Sequence, residues 1–153
     1  MPTLSAFADE ISSDLDEQLT VLNECGIRYF DLRGVWGINV LDLTDDQIRD
    51  IKTKSGDRGI GVAAIGSPIG KSSIDKPRSY EIERLRRACD IAENLGAKYV
   101  RIFSFYAPEG KSILEYGEEV VDRLSGWIDM ISSEKRTVVL VHENEKEIMK
   151  MKV

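Results

Sequence analysis

The chain has 153 residues, of which 42% are hydrophobic and 31% are charged, and its formal net charge is -6. This length and hydrophobic content suit one domain with one substantial core. The acidic balance argues against partners such as nucleic acid or anionic lipid, and no apolar run is long enough to cross a membrane. The first ten residues lack the basic-then-apolar order of a secretory signal, so we expect a cytoplasmic protein.

Short apolar segments rich in β-forming residues alternate with helical patterns along the whole chain. Helices are predicted in the gaps between these segments, and Gly26 and Gly96 are typical of the ends of the first and third helices. A strand that is followed by a crossover helix runs parallel to the next strand. The five predicted strands are residues 4–8, 28–32, 61–65, 99–105 and 137–142.

Capping-box patterns predict where three of the helices begin. Thr44 with Gln47 predicts the start of the second helix, and Ser112 with Glu115 that of the fourth. Ser13, followed three residues later by an aspartate, predicts the start of the first helix.

Three residues on helical patterns are predicted to be core residues. Cys25 and Cys89 have no second thiol or histidine at ligand spacing, so we expect both to be small buried side chains. Trp127 lies on the apolar stripe of the fourth helix and is also expected in the core.

Polar residues gather where the predicted strands end. Parallel strands bring their carboxyl ends to one rim, which is where α/β proteins build their sites. For any single position the alternative interpretation is a polar residue at an ordinary strand-to-loop junction. Trp36, in a rim loop, could stack on a sugar or simply cover the core. The predicted substrate-binding residues are Asp31, Arg33, Trp36, Ser67, Lys71 and Arg101.

Glu143 is the predicted catalytic residue and metal ligand. The apolar run 138–141 delivers this carboxylate to the rim, where it could hold a divalent ion. One carboxylate does not make a metal site, and His142 is the only histidine in the sequence. The glycine-containing loop at 66–71 lacks the Walker spacing, and no dinucleotide-binding glycine motif follows the first strand, so nucleotide binding is disfavoured.

Periodicity alone leaves two folds open. Five parallel strands in this length suit a flavodoxin-like doubly wound sheet at least as well as part of a (β/α)8 barrel. A barrel arc requires the strand order 1-2-3-4-5, whereas a doubly wound sheet reverses direction in the middle.

Five motifs in order resemble the sugar phosphate isomerase/epimerase group of the xylose isomerase-like barrels. They are FADEI at 7–11, DLRGVW at 31–36, IGSPIGK at 65–71, RIFSF at 101–105 and HENEK at 142–146. The resemblance covers residues 4–146 and favours the barrel. It implies an α/β fold of parallel (β/α) units, here a partial TIM barrel of about five strands and four helices.

The resemblance also implies a chemistry. Members of the group use a divalent metal, such as Mn, Co, Zn or Mg, to move a proton beside the carbonyl of a sugar or sugar phosphate. Glu143 matches the first metal ligand of the group, and Asp31 matches a pocket position where the group usually has glutamate. The ligands expected on strands six, seven and eight have no counterpart here.

A complete barrel needs about 250 residues. We therefore expect a single domain over residues 1–153 that corresponds to the amino-terminal part of such a barrel, with weak or no activity and weak or absent metal binding. The alternative is a non-catalytic assembly or binding module that forms homo-oligomers through its open sheet edges. A DNA-repair endonuclease of the same superfamily would need a basic groove, which the net charge disfavours.

Overall fold

A computed structural model describes residues 3–144 of the chain. Its helices are α1 (Leu15–Glu24), α2 (Asp45–Asp57), α3 (Arg78–Leu95) and α4 (Gly117–Ser133), with 3-10 turns at Ala8–Glu10, Val40–Asp42 and Ile113–Tyr116. Its strands are β1 (Ser5–Ala6), β2 (Tyr29–Leu32), β3 (Gly34–Val35), β4 (Ile38–Asn39), β5 (Gly61–Ile65), β6 (Tyr99–Ile102) and β7 (Val139–His142). Within these described residues, no helix is both long and apolar enough to span a bilayer.

The main sheet has five strands in the order β1-β2-β5-β6-β7, and every neighbouring pair is parallel. The strands follow one another in chain order without a reversal, as in an arc of a barrel and unlike a doubly wound sheet. The predicted partial TIM barrel of five strands and four helices is therefore confirmed. The predicted bounds of the third strand match β5, while the other predicted strands extend beyond the paired residues.

One face of the sheet packs against the helices and the other is open. Because side chains alternate along a strand, Phe30 and Leu32 on β2 and Val100 on β6 point outward and are at most 1% exposed. They meet the apolar stripes of the helices, which form one continuous core. On the inner face, Tyr29 and Tyr99 are 43% and 39% exposed.

The two capping boxes of the second and fourth helices are confirmed, although the one at Ser112 begins a 3-10 turn that precedes α4. The prediction for the first helix was wrong. Its N-cap is Asp14, whose carboxylate accepts a hydrogen bond from the Glu17 backbone N–H at 3.0 Å. Ser13 is exposed and lies one residue too early to take this role.

The core predictions hold for Cys89 and Trp127, which are 0% and 2% exposed. Cys25 was predicted to be buried, and this was wrong because the residue is exposed. It is the C-cap of α1, one residue beyond the last helical position, so the chain has already left the buried stripe there.

The sequence did not reveal the antiparallel hairpin of β3 and β4 that follows β2. Trp36 and Gly37 form its two-residue turn, with φ angles of 56° and 74°. Positive φ at both central residues is the geometry that matches the twist of a tight hairpin. A tryptophan is an unusual residue at the first of these positions, so the run 34–39 resembles an ordinary loop in sequence.

Candidate functional site

The inner face of the strand arc forms an open cavity of about 840 Å³. Each of the five strands, or the residue just beyond its end, contributes to the wall. Side chains two apart along a strand point to the same face, so each strand adds one short column. These columns are Ser5 and Phe7, Tyr29 and Asp31, Ala64 and Gly66, Tyr99 and Arg101, and Val141 and Glu143.

Arg101 connects three strand ends in this cavity. Its Nη1 donates to Oε2 of Glu143 at 3.2 Å, and its Nη2 and Nε donate to the carbonyl oxygens of Gly66 at 3.0 Å and Ser67 at 3.3 Å. The Arg101 side chain is 13% exposed and that of Glu143 is 46% exposed. The carboxylate is thus held by one partner while much of it still faces the open cavity.

The Phe7 ring contacts two guanidinium groups. The central carbon of Arg33 is 4.9 Å from the centre of the ring, and that of Arg101 is 5.2 Å from it. Arg101 also lies 4.9 Å from the centre of the Phe103 ring. Cation–π contacts of this kind restrict the arginine side chains in addition to their hydrogen bonds.

Asp31 is on the same wall, at the middle of β2. Ser5 Oγ on β1 donates a hydrogen bond to Asp31 Oδ1 at 2.8 Å. The remaining carboxylate oxygen can accept a further hydrogen bond from a ligand. The structure therefore brings Asp31, Arg101 and Glu143 to one cavity.

Arg33 contacts the Phe7 ring and lines a separate pocket of about 390 Å³. Its Nε donates to Asp9 Oδ2 at 2.7 Å, and its Nη2 donates to Glu10 Oε1 at 3.2 Å. The hydrogen bond to Asp9 is the main reason that the pKa of the Arg33 guanidinium is raised above its ordinary value. Strand β2 ends at Leu32, so Arg33 does not continue the column of Asp31.

Ser67 and Lys71 lie in the loop between β5 and α3. Ser67 is completely buried, and its hydroxyl donates to the backbone oxygen of Arg101, so it supports the cavity from behind. Lys71 is exposed, with its Nζ 4.3 Å from the centre of the Phe103 ring. Trp36 packs against the core from the hairpin turn and is not part of the cavity wall.

Residues 3–144 contain no group of three or more His, Cys, Asp or Glu side chains placed to hold a metal ion. Glu143 already has Arg101 as a partner, and a guanidinium beside a carboxylate opposes a cation at the same place. His142 is exposed and also lines the cavity. This part of the chain does not by itself fit the metal centre that the resemblance implies.

A sequence profile of the xylose isomerase-like TIM barrel family matches residues 19–150. The chain belongs to this family. No curated protein matches its sequence.

Solved structures of xylose isomerase-like barrels share the fold. A Mycobacterium smegmatis member in complex with magnesium is 15% identical, with a TM-score of 0.69 over 95% of this chain and 56% of that one. The apo 3-keto-D-glucoside 4-epimerase YcjR from E. coli is 13% identical, with a TM-score of 0.66 over 93% and 55% of the two chains. A D-tagatose 3-epimerase-like protein is 17% identical, with a TM-score of 0.67 over 92% and 52%.

At these identities the likeness shows the fold alone. The chain spans about half the length of these three proteins. The range that the family profile matches includes Asp31, Arg101 and Glu143.

Three aromatic residues of this xylose isomerase-like cavity were missed in the sequence. Phe7, Tyr29 and Tyr99 all line the inner wall. Tyr29 lies two residues before Asp31, and Tyr99 lies two residues before Arg101, both of which were predicted to bind substrate. Strict alternation along the strand would therefore have identified them.

Proposed function

We propose that the inner cavity binds a sugar or sugar phosphate, and that the chain is isomerase/epimerase-like. The observation that carries the proposal is the joint placement of Asp31, Arg101 and Glu143 on one wall with exposed tyrosines. Sugar hydroxyls form strong hydrogen bonds with charged side chains, and the apolar face of a sugar ring packs on aromatic rings. The cavity of about 840 Å³ is large enough for such a ligand.

Each residue has a distinct part in this proposal. Asp31 accepts a hydrogen bond from a sugar hydroxyl with the oxygen that Ser5 leaves available. Glu143 takes the proton from the carbon beside the carbonyl and returns it to the neighbouring carbon or the opposite face. Arg101 holds the Glu143 carboxylate at the cavity wall, and Tyr29 and Tyr99 pack on the sugar.

We expect at most weak turnover from these residues. Other structures of the fold were determined with zinc or magnesium, which supports a divalent metal in the family chemistry. The described residues supply no group of three or more candidate ligands, so an ion held by Glu143 would have little geometric constraint. A non-catalytic sugar-binding module is the second candidate function, and the same observation favours it.

The proposal is tested by sugar titration and by a ketose epimerisation assay of the whole chain with added manganese, cobalt or zinc. We expect binding of a ketose that Asp31→Asn and Glu143→Gln each weaken, and any turnover to disappear in Glu143→Ala. Glu24→Gln, at the exposed end of α1, is the matched control, and it should leave ketose binding and turnover unchanged. Turnover that survives Glu143→Ala would refute the role of Glu143, and binding without turnover would favour the second candidate.

A further inference from the structure

A second, smaller cavity lies between α3 and α4. Its volume is about 130 Å³, which is well above the space that one water molecule needs. Residues of the two helices form its wall together with Phe105, which follows β6. The whole wall therefore lies within residues 3–144, and it shares no residue with the wall of the inner cavity.

Glu81 brings a carboxylate into this wall. The residue lies in the first turn of α3 and is 2% exposed. Its Oε1 accepts a hydrogen bond from Ser72 Oγ at 2.5 Å, while its Oε2 is buried without a hydrogen-bond partner among residues 3–144. Ser72 is not part of the cavity wall, so Oε2 is the oxygen left to face the cavity. Since a buried carboxylate oxygen without a donor is unfavourable, we expect a ligand with donors or positive charge beside it.

The charges around the cavity leave one carboxylate unbalanced. The Arg78 guanidinium lies 2.6 Å from the carboxylate of Glu119 and 2.5 Å from that of Asp122. Arg123 Nε lies 2.7 Å from Glu119. Within residues 3–144, neither guanidinium forms an ion pair with Glu81. Two guanidinium groups therefore stand beside three carboxylates, and the unpaired negative charge is that of Glu81.

Two aromatic rings also line the cavity. Phe105 and Trp127 are buried, and their ring centres lie 5.2 Å apart. The Arg123 guanidinium is 5.5 Å from the centre of the Phe105 ring, so this wall already attracts one cation. A carboxylate together with aromatic rings is the combination that recognises organic ammonium groups.

We propose that this cavity binds a small primary alkylammonium cation of the size of methylammonium. One ammonium N–H donates to Oε2 of Glu81, and the positive charge balances the unpaired carboxylate. The alkyl group packs on the aromatic wall. Amine binding at this place is independent of sugar binding at the inner wall, because the two cavities have separate walls.

An NMR titration of the full chain with methylammonium chloride tests the site, with sodium chloride at equal ionic strength as the reference. We expect the indole N–H signal of Trp127 to shift and to saturate, because this ring lines the cavity. The other tryptophan, Trp36 in the hairpin turn, is the internal control, and its signal should stay in place. Tetramethylammonium chloride, whose cation has no N–H donor, should move neither signal. No shift of Trp127, or an equal shift with sodium chloride, would overturn the proposal and leave water as the occupant.

Glu81→Gln tests the carboxylate itself, because it removes the negative charge and retains an oxygen for Ser72. We expect it to weaken methylammonium binding, read from the Trp127 signal, by about tenfold or more. Glu83→Gln, at an exposed position of the same helix, is the matched control and should bind like the wild-type protein. Unchanged affinity in Glu81→Gln would overturn the proposal. If Glu81→Gln does not fold, the comparison of the three salts on the wild-type protein still decides between an amine site and a water-filled cavity.

Discussion

Arg101 on β6 donates a hydrogen bond from Nη1 to Oε2 of Glu143, 3.2 Å away just beyond the end of β7. The same guanidinium donates to two backbone carbonyls at the end of β5 and stacks against Phe7 and Phe103. One side chain thus fixes the spacing of three strand ends and the position of the proposed proton-transferring carboxylate. The site depends on this contact more than on any other.

Arg101→Gln should therefore reduce both stability and ligand binding. Hydrogen bonds to charged groups contribute about 1.5–3 kcal/mol each, and this side chain is largely buried, so we expect a loss of about 2–3 kcal/mol. Urea unfolding and a sugar titration measure the two effects. Arg49→Gln is the control, because that side chain is 65% exposed on α2 and, among residues 3–144, its ion pair is with Asp46 of the same helix. Equal stability of the two variants would contradict the role of Arg101.

Gly70 should be the least replaceable glycine among the described residues. It has a φ of +82°, and a Cβ there would lie 2.1 Å from the backbone oxygen of Phe103. Phe103 and Phe105 donate backbone hydrogen bonds to Ile69 and Gly70, so the loop cannot move away without losing them. We expect Gly70→Ala to lower the free energy of unfolding, measured with urea, by at least about 3 kcal/mol.

Gly59→Ala is the matched control for that variant. Gly59 also has a positive φ, +65°, but a Cβ there would meet nothing within 4 Å. Gly59→Ala should therefore lower the free energy of unfolding by only about 1–2 kcal/mol, which is the cost of a positive φ for a residue with a Cβ. If the two alanine variants unfold at the same urea concentration, the close approach at Gly70 does not limit stability.

The two cysteines should differ sharply in reactivity. Cys25 is exposed, whereas burial raises the pKa of the Cys89 thiol to about 11. Because the thiolate is the reactive form, a thiol reagent at pH 8 should modify one cysteine in the folded protein and two in denaturant. Cys25→Ser should leave no fast-reacting thiol, and rapid labelling of that variant would show that the core around Cys89 is open.

Acid should destabilise the fold through its surface ion pairs. Hydrogen bonds from Arg123 and Arg86 are the largest causes that lower the pKa values of Glu119 and Glu134, and Lys54 does the same for Asp16. A carboxyl group with a lowered pKa in the folded state adds stability above its unfolded pKa and loses it as the pH falls through the folded value. The thermal midpoint should therefore fall as the pH drops below about 4.

Arg86→Gln provides the comparison for this pH dependence. It removes the partner that most lowers the pKa of Glu134, so the variant should lose less stability than the wild-type protein between pH 7 and acid. Identical profiles would mean that the Arg86–Glu134 pair makes no contribution to the acid transition. Both profiles are measured as thermal midpoints at constant ionic strength, because salt screens exposed pairs.

The arc of strands could be predicted because the apolar stripes of the helices and the apolar runs of the strands alternate regularly along the sequence. Periodicity could not separate a barrel from a doubly wound sheet, and the order of the five rim motifs made that distinction. Cys25 was misplaced because α1 ends at Glu24 and its last buried residue is Leu22. The β3–β4 hairpin was missed because Trp36 occupies a turn position where positive φ is unusual for a large side chain.

Alternation along the strands explains which of the predicted site residues lie on the inner wall. Asp31, Arg101 and Glu143 line the cavity there. Arg33 stands beyond the last paired residue of β2, where the chain turns into the hairpin, so alternation no longer applies. Ser67 belongs to a loop whose composition suggests exposure, but backbone hydrogen bonds tie that loop to residues 103–106, and Ser67 is buried.

The binding of a sugar at the inner wall is most directly tested by a ¹H–¹⁵N NMR titration of the whole chain with a ketose and its phosphate. We expect the amide signals of Asp31, Arg101 and Glu143 to shift together with one affinity, and Asp31→Asn to weaken all of them. No shifts at high ligand concentration, or shifts confined to the outer helices, would contradict a sugar site in this cavity.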